Sequence, residues 1–154
     1  MNTLAARGVD RYARTDLETG VEAASPQRLV IMLYDGAIRA MMQSKAAFAS
    51  GDVSARGEAL SKAIAIIDEG LSAVLDRQIG GDIAENLANL YDYISNRLLY
   101  ANLKGHEASV DEAMKLMIDL RGAWEQLERD TRRAASPDQK PDPERVPAMS
   151  YGRA

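Results

Sequence analysis

Between residues 25 and 130 the apolar side chains recur every three to four positions, the spacing of helices that each bury one face. The stretch Ser25 to Met42 is the most apolar. It starts with Ser25 as an N-cap and Pro26 at the first helical position, where a missing N–H costs nothing. Leu29, Met32, Leu33, Gly36, Ala37, Ala40 and Met41 form its inner stripe, and Val30, Ile31, Tyr34 and Ile38 widen that stripe beyond a two-helix seam. Such a helix must be covered by several neighbours, or by neighbours and a guest. The first helix is expected from Pro26 to Ala49, with Gly51 ending it and Asp52 capping the next.

The second helix is expected from Val53 to Arg77, on the stripe Leu60, Ala63, Ile64, Ile67, Leu71, Val74 and Leu75, with Ile66 outside it. Gly57 and Gly70 sit inside this helix, which calls for close approach by a neighbour to offset their low helix propensity. Gly80-Gly81 is a break, and Asp82 with Glu85 reads as a capping box for a third helix. That helix runs through Ile83, Leu87, Leu90, Tyr91, Ile94, Leu98 and Ala101 to Lys104, and Gly105 ends it. Ser109 and Glu112 repeat the box before a fourth helix from Val110 to Arg129, through Ala113, Met114, Met117, Leu120, Trp124 and Leu127. Four long helices on short loops predict an all-α, antiparallel up-and-down four-helix bundle over residues 25–130. Residues 1–24 are weakly patterned and read as an N-terminal arm. Residues 131–154 carry four of the five prolines and read as a disordered tail.

Composition narrows the function. The chain has 154 residues, one histidine, no cysteine and a net charge of −4, which excludes disulfides, thiolate metal sites and multi-histidine centres. His106 stands alone in a loop, and no glycine-rich phosphate loop is present, so no enzyme chemistry is predicted and no cofactor. The basic cluster Arg129, Arg132 and Arg133 complements the end of a helix dipole, and no nucleic-acid partner is expected. No early apolar run suits a signal peptide or membrane span, so a cytoplasmic protein without membrane insertion is expected. What stands out is surplus apolar surface. Tyr34, Ile38, Ile66, Tyr93, Leu99 and Tyr100 cannot all face one bundle centre together with the stripes. They either line inter-helix grooves fit for an amphipathic partner helix, or are boundary residues covered by the arm.

Several segments, in order and at matching spacing, resemble the flagellin-specific export chaperones of the FliS family. They are Tyr12; Ser25-Pro26 with Leu29 and Met32 to Ile38; Gly51-Asp52; Lys62 to Leu71; Leu75-Asp76; Gly80 to Ala84 with Asn86-Leu87; Leu90 to Tyr93; Arg97-Leu98; Ala101 to Leu103; and Leu120-Arg121 with Trp124. Ser95-Asn96 is more polar than the family pattern leads one to expect. The resemblance implies a helical bundle that binds the C-terminal segment of newly made flagellin in the cytoplasm. Binding prevents premature polymerisation and aids delivery to the flagellar type III export gate, without ATP. Contacts to the gate and to regulators are also implied by the family. A monomer forming a 1:1 complex is expected. Carried onto this chain, Ser25, Pro26, Asp35 and Gly36 belong to the family signature. Tyr12 would anchor the arm. Tyr34, Ile64, Ile66, Ile67, Leu71, Tyr91, Tyr93, Ile94 and Leu98 are the candidates for the flagellin groove. Of these, Ile66 and Tyr93 are expected to be exposed. The alternative is a general adaptor for some other amphipathic helix.

Overall fold

The structure, a computed structural model, describes residues 25–135. Within them lie four helices and no strand: α1 (Pro26–Ser50), α2 (Val53–Ala65), α3 (Arg77–Lys104) and α4 (Glu107–Ala135). α2 continues without interruption into a π-helical turn, Ile66–Leu71. The arm with Tyr12, and the chain beyond Ala135, lie outside the described residues.

The local signals place several helix ends. The Ser25 hydroxyl accepts from the Arg28 N–H at 3.1 Å, and Pro26 follows it. Gly51 and Gly105 close α1 and α3 at φ of 71° and 63°, in the left-handed region where a side chain would be strained. Asp52 caps α2 by accepting from the Ala55 N–H at 3.0 Å. Four ends differ from expectation, the first being the end of the second helix, which stops with the π turn at Leu71 and not at Arg77. α3 is capped by Asp76, whose carboxylate accepts from the Gln78 and Ile79 N–H groups, and not by Asp82. The glycine break survives inside the helix, since Gly81 takes φ 55° and ψ −131°. α4 starts at Glu107 rather than Val110, because Ser109 bonds the His106 ring at 2.7 Å instead of capping. It also continues past Arg129 to Ala135.

Polar pairs give the helix directions. Arg28, Asp35 and Lys45 of α1 meet Glu128, Arg121 and Asp111 of α4, so one number climbs as the other falls. Between α2 and α3, Arg56 meets Asn102, while Asp68 beyond α2 meets Ser95. Neighbours therefore run antiparallel. α1 packs on α2 and α4, and α3 packs on the same two helices, which leaves α1 opposite α3 across the core. Tyr34 and Tyr91 span that diagonal with hydroxyls 2.5 Å apart and both rings buried. Burial, and then the neighbouring Tyr91, push the Tyr34 phenol far above its ordinary pKa. Tyr34→Phe should cost about 1–2 kcal/mol, because the Tyr91 hydroxyl loses its 2.5 Å contact with Tyr34 inside the core. Adding Tyr91→Phe should cost less than the sum of the two single changes, and a double-mutant cycle in urea reads this coupling.

The core corrects one feature of the sequence reading. Ile66 is 9% exposed and Ile67 is fully buried, although helical spacing puts Ile66 off the stripe. The π turn is the reason. It spreads each turn over more residues and brings Ile66, Ile67, Gly70 and Leu71 inward together. At Gly70 the fit to α1 is close: a Cβ there would stand 3.1 Å from a Leu33 methyl carbon. At the other extreme, Ile83, Val74 and Leu127 were expected on inner stripes but are 73%, 42% and 45% exposed. In α3 the inward places near its start are taken by Ala84 and Ala88.

Candidate functional site

Ser25, Pro26, Asp35 and Gly36, the residues singled out by resemblance, sit at the start of α1 and along its packed length. Ser25 and Pro26 start α1, and the Ser25 hydroxyl also reaches the Glu128 carboxylate at 3.4 Å. Arg28 grips that carboxylate twice, at 2.9 Å from Nε and 2.5 Å from the second guanidinium nitrogen. Burial works against the charge on Glu128. Arg28, with Arg132 and Ser25, outweighs it and holds the carboxyl below the usual range. Asp35 accepts from Arg121 of α4, and Gly36 is buried in α1.

The groove candidates separate into two groups. Tyr34, Ile67, Leu71, Tyr91, Ile94 and Leu98 are essentially without solvent exposure, and Ile66 joins them. They form the floor under any groove. Ile64 is half-buried and Tyr93 is exposed, so these two keep surface that a partner could reach without opening the bundle.

α3 presents two different outer faces. One carries Tyr93, Arg97 and Tyr100 and borders α4. The Tyr93 hydroxyl donates to Glu112 at 2.5 Å, and Arg97 Nε donates to the same carboxylate at 2.7 Å. These hydrogen bonds, that of Tyr93 first, hold the Glu112 carboxyl below its ordinary pKa. The Arg97 guanidinium lies 5.1 Å over the Tyr100 ring, and the His106 ring stands edge-on to that ring at 5.4 Å. This face already has its partners.

The other face carries Asp92, Asn96, Leu99 and Leu103, at i, i+4, i+7 and i+11. It borders α2, where Asn102 accepts from Arg56. Leu99 and Leu103 are 47% and 71% exposed, and Ile64 of α2 lies one turn before Asp68. Further along, where the π turn unwinds, Asp68, Ser72, Asp92, Ser95 and Asn96 line an open cavity of about 340 Å³. The trough between α2 and α3 is thus apolar toward Leu103 and polar toward Ser72. Leu99 belonged to the surplus apolar set, but the sequence reading did not place Leu103, Asp68 or Asp92 at a site. The 92–96–99–103 spacing was the available signal. The polar Ser95-Asn96 step is part of this cavity wall.

Among the described residues no helix is long and apolar enough to cross a membrane, and no group of three or more histidine or acidic side chains could hold a metal ion.

The family model described as "Flagellar protein FliS" matches residues 8–131. The flagellar secretion chaperone FliS of Salmonella typhimurium is 47% identical over 122 residues, which cover 79% of this chain and 90% of the relative. Its counterpart in Escherichia coli is 38% identical with the same coverage. That of Vibrio cholerae is 37% identical over 75% of this chain and 85% of the relative. With the family model matching most of the chain and a relative 47% identical over 79% of it, the chain belongs to the FliS family of flagellar secretion chaperones.

Proposed function

We propose that this chain is a cytoplasmic chaperone that binds the C-terminal segment of flagellin along the trough between α2 and α3, keeping the subunit unpolymerised and fit for delivery to the flagellar export apparatus. The observation that carries the reading is the shoulder of Ile64, Leu99 and Leu103, apolar side chains left in contact with solvent above a finished core. Family membership supports the chaperone role, and the relatives' name of flagellar secretion chaperone supports a flagellar client. A helix that lays an apolar stripe along this shoulder gains hydrophobic burial without disturbing the bundle. The client orders as it binds, which lowers affinity per unit area but lets a long segment wrap the surface.

Calorimetric titration with a peptide of roughly forty residues from the C-terminus of the host flagellin tests the proposal. Saturable 1:1 binding with a strongly negative heat-capacity change is the expected result, since apolar burial coupled to folding gives that signature. Absence of binding by a chain shown to be helical would sink the flagellin reading in favour of a general helical adaptor.

A further inference from the structure

Among the described residues, the acidic residues of the trough have no counter-charge of their own. Each of the other inter-helix seams with a charged pair joins a cation on one helix to an acid on the next: Arg28 to Glu128, Arg121 to Asp35, Lys45 to Asp111, and Arg97 to Glu112. Across the trough, both sides contribute acids. Asp68 and Asp92 face one cavity, and among the described residues neither meets a lysine or arginine. Like charges around a shared cavity repel, and an arriving cation relieves that repulsion.

The rest of the wall is polar and adds further acceptors beside its own donors. Ser95, 8% exposed, spends its hydroxyl proton on Asp68 Oδ1 at 2.7 Å, which leaves Oδ2 available. The Ser72 hydroxyl oxygen has no hydrogen-bond partner among the described residues, but it lies behind the cavity surface and would reach an arriving group only after a rotation of its side chain. Asn96 adds an amide oxygen. A group that carries positive charge and several N–H donors suits such a wall, and arginine and lysine side chains have that chemistry. The cavity also continues the apolar shoulder of Leu99 and Leu103 along the same face of α3. A helix docked on the shoulder therefore carries one of its flanking side chains to the cavity.

Resting on the reading of the trough as the client groove, we propose that the cavity bounded by Asp68, Ser72, Asp92, Ser95 and Asn96 takes a cationic side chain of the bound flagellin helix. That contact fixes the helix's position and direction along the groove. The apolar shoulder supplies non-directional burial, which by itself lets a helix slide. A charge-assisted hydrogen bond at one end sets a single register.

The test titrates the full-length chain, wild type and Asp92→Asn, with the same flagellin peptide and with a version whose lysines and arginines are all changed to glutamine. Asp92 is exposed and its side chain makes no hydrogen bond among the described residues, so circular dichroism should match wild type and urea unfolding should match or slightly exceed it. Asp92→Asn is expected to weaken binding about tenfold at low salt and to flatten its salt dependence. The glutamine peptide should lose a similar factor against wild type and lose little more against Asp92→Asn. Equal affinity of wild type and Asp92→Asn for the native peptide would overturn the inference and leave the groove reading standing. Tighter binding by Asp92→Asn, or additive losses from the two changes, would overturn it as well. If wild type fails to bind the native peptide, the groove reading falls and this inference with it.

Discussion

Ile66→Asp is expected to cost about 4 kcal/mol or more in folding stability, from the lost apolar burial and a carboxylate with no partner in the core. Domains of this size have only about 5–15 kcal/mol to lose, so the variant should melt broadly or fail to fold. The expectation depends on the π turn. In a regular α-helix a residue adjacent to a stripe position points about 100° away from it, and Ile66 would face solvent beside Ile67. The π-helical turn Ile66–Leu71 instead brings both isoleucines inward, leaving Ile66 9% exposed. Urea unfolding followed by circular dichroism at neutral pH measures the loss. Ile66→Val, which removes one methylene and adds no charge, should cost only about 1 kcal/mol. An unchanged midpoint in Ile66→Asp would place the side chain in water and remove the widened turn from the fold.

The contrast between Ile66 and the helix caps shows which features the sequence made legible. Ser25-Pro26, Gly51-Asp52 and Gly105 act through their own backbone and the next few residues, so a local reading finds them. The inner stripe of α1, the later part of α3 and the early part of α4 follow regular spacing and were legible for the same reason. Ile66 was misplaced because the π turn changes the period midway, a departure fixed by packing against α1 and α3 and not by local propensity. Ile83 was misplaced because the kink at Gly81 and the small side chains of Ala84 and Ala88 redirect the start of α3. The groove was harder still. Periodicity counts surplus apolar residues but does not tell which are covered, and here Tyr34 turned inward to meet Tyr91 while Leu99 stayed outside. Tyr93 shows a further limit. It is exposed as expected, yet its hydroxyl and its neighbour Arg97 are engaged by Glu112 from another helix, a contact nineteen positions away in the chain.

That distinction between floor and shoulder leads to the largest expected effect on binding. Leu99→Gln combined with Leu103→Gln should weaken flagellin-peptide binding about a hundredfold, because burying a leucine against a partner contributes about 1.5–3 kcal/mol and two are lost. Stability should barely change. Both side chains are already largely in water, at 47% and 71% exposure, and glutamine has nearly the helix propensity of leucine. Glutamine also brings no charge to the C-terminal turns of α3, where an acid would oppose the helix dipole. The urea midpoint should therefore stay within about 0.5–1 kcal/mol of wild type, while the titration loses most of its heat. Unchanged affinity would move the client off this trough and toward the other uncovered apolar pair on α3, Ile79 and Ile83, at 86% and 73% exposure. A loss of binding accompanied by a comparable loss of fold would show instead that Leu99 and Leu103 stabilise the bundle itself. The pair is decisive because the two roles predict opposite results in unfolding: a floor residue takes the fold with it, and a shoulder residue takes only the client.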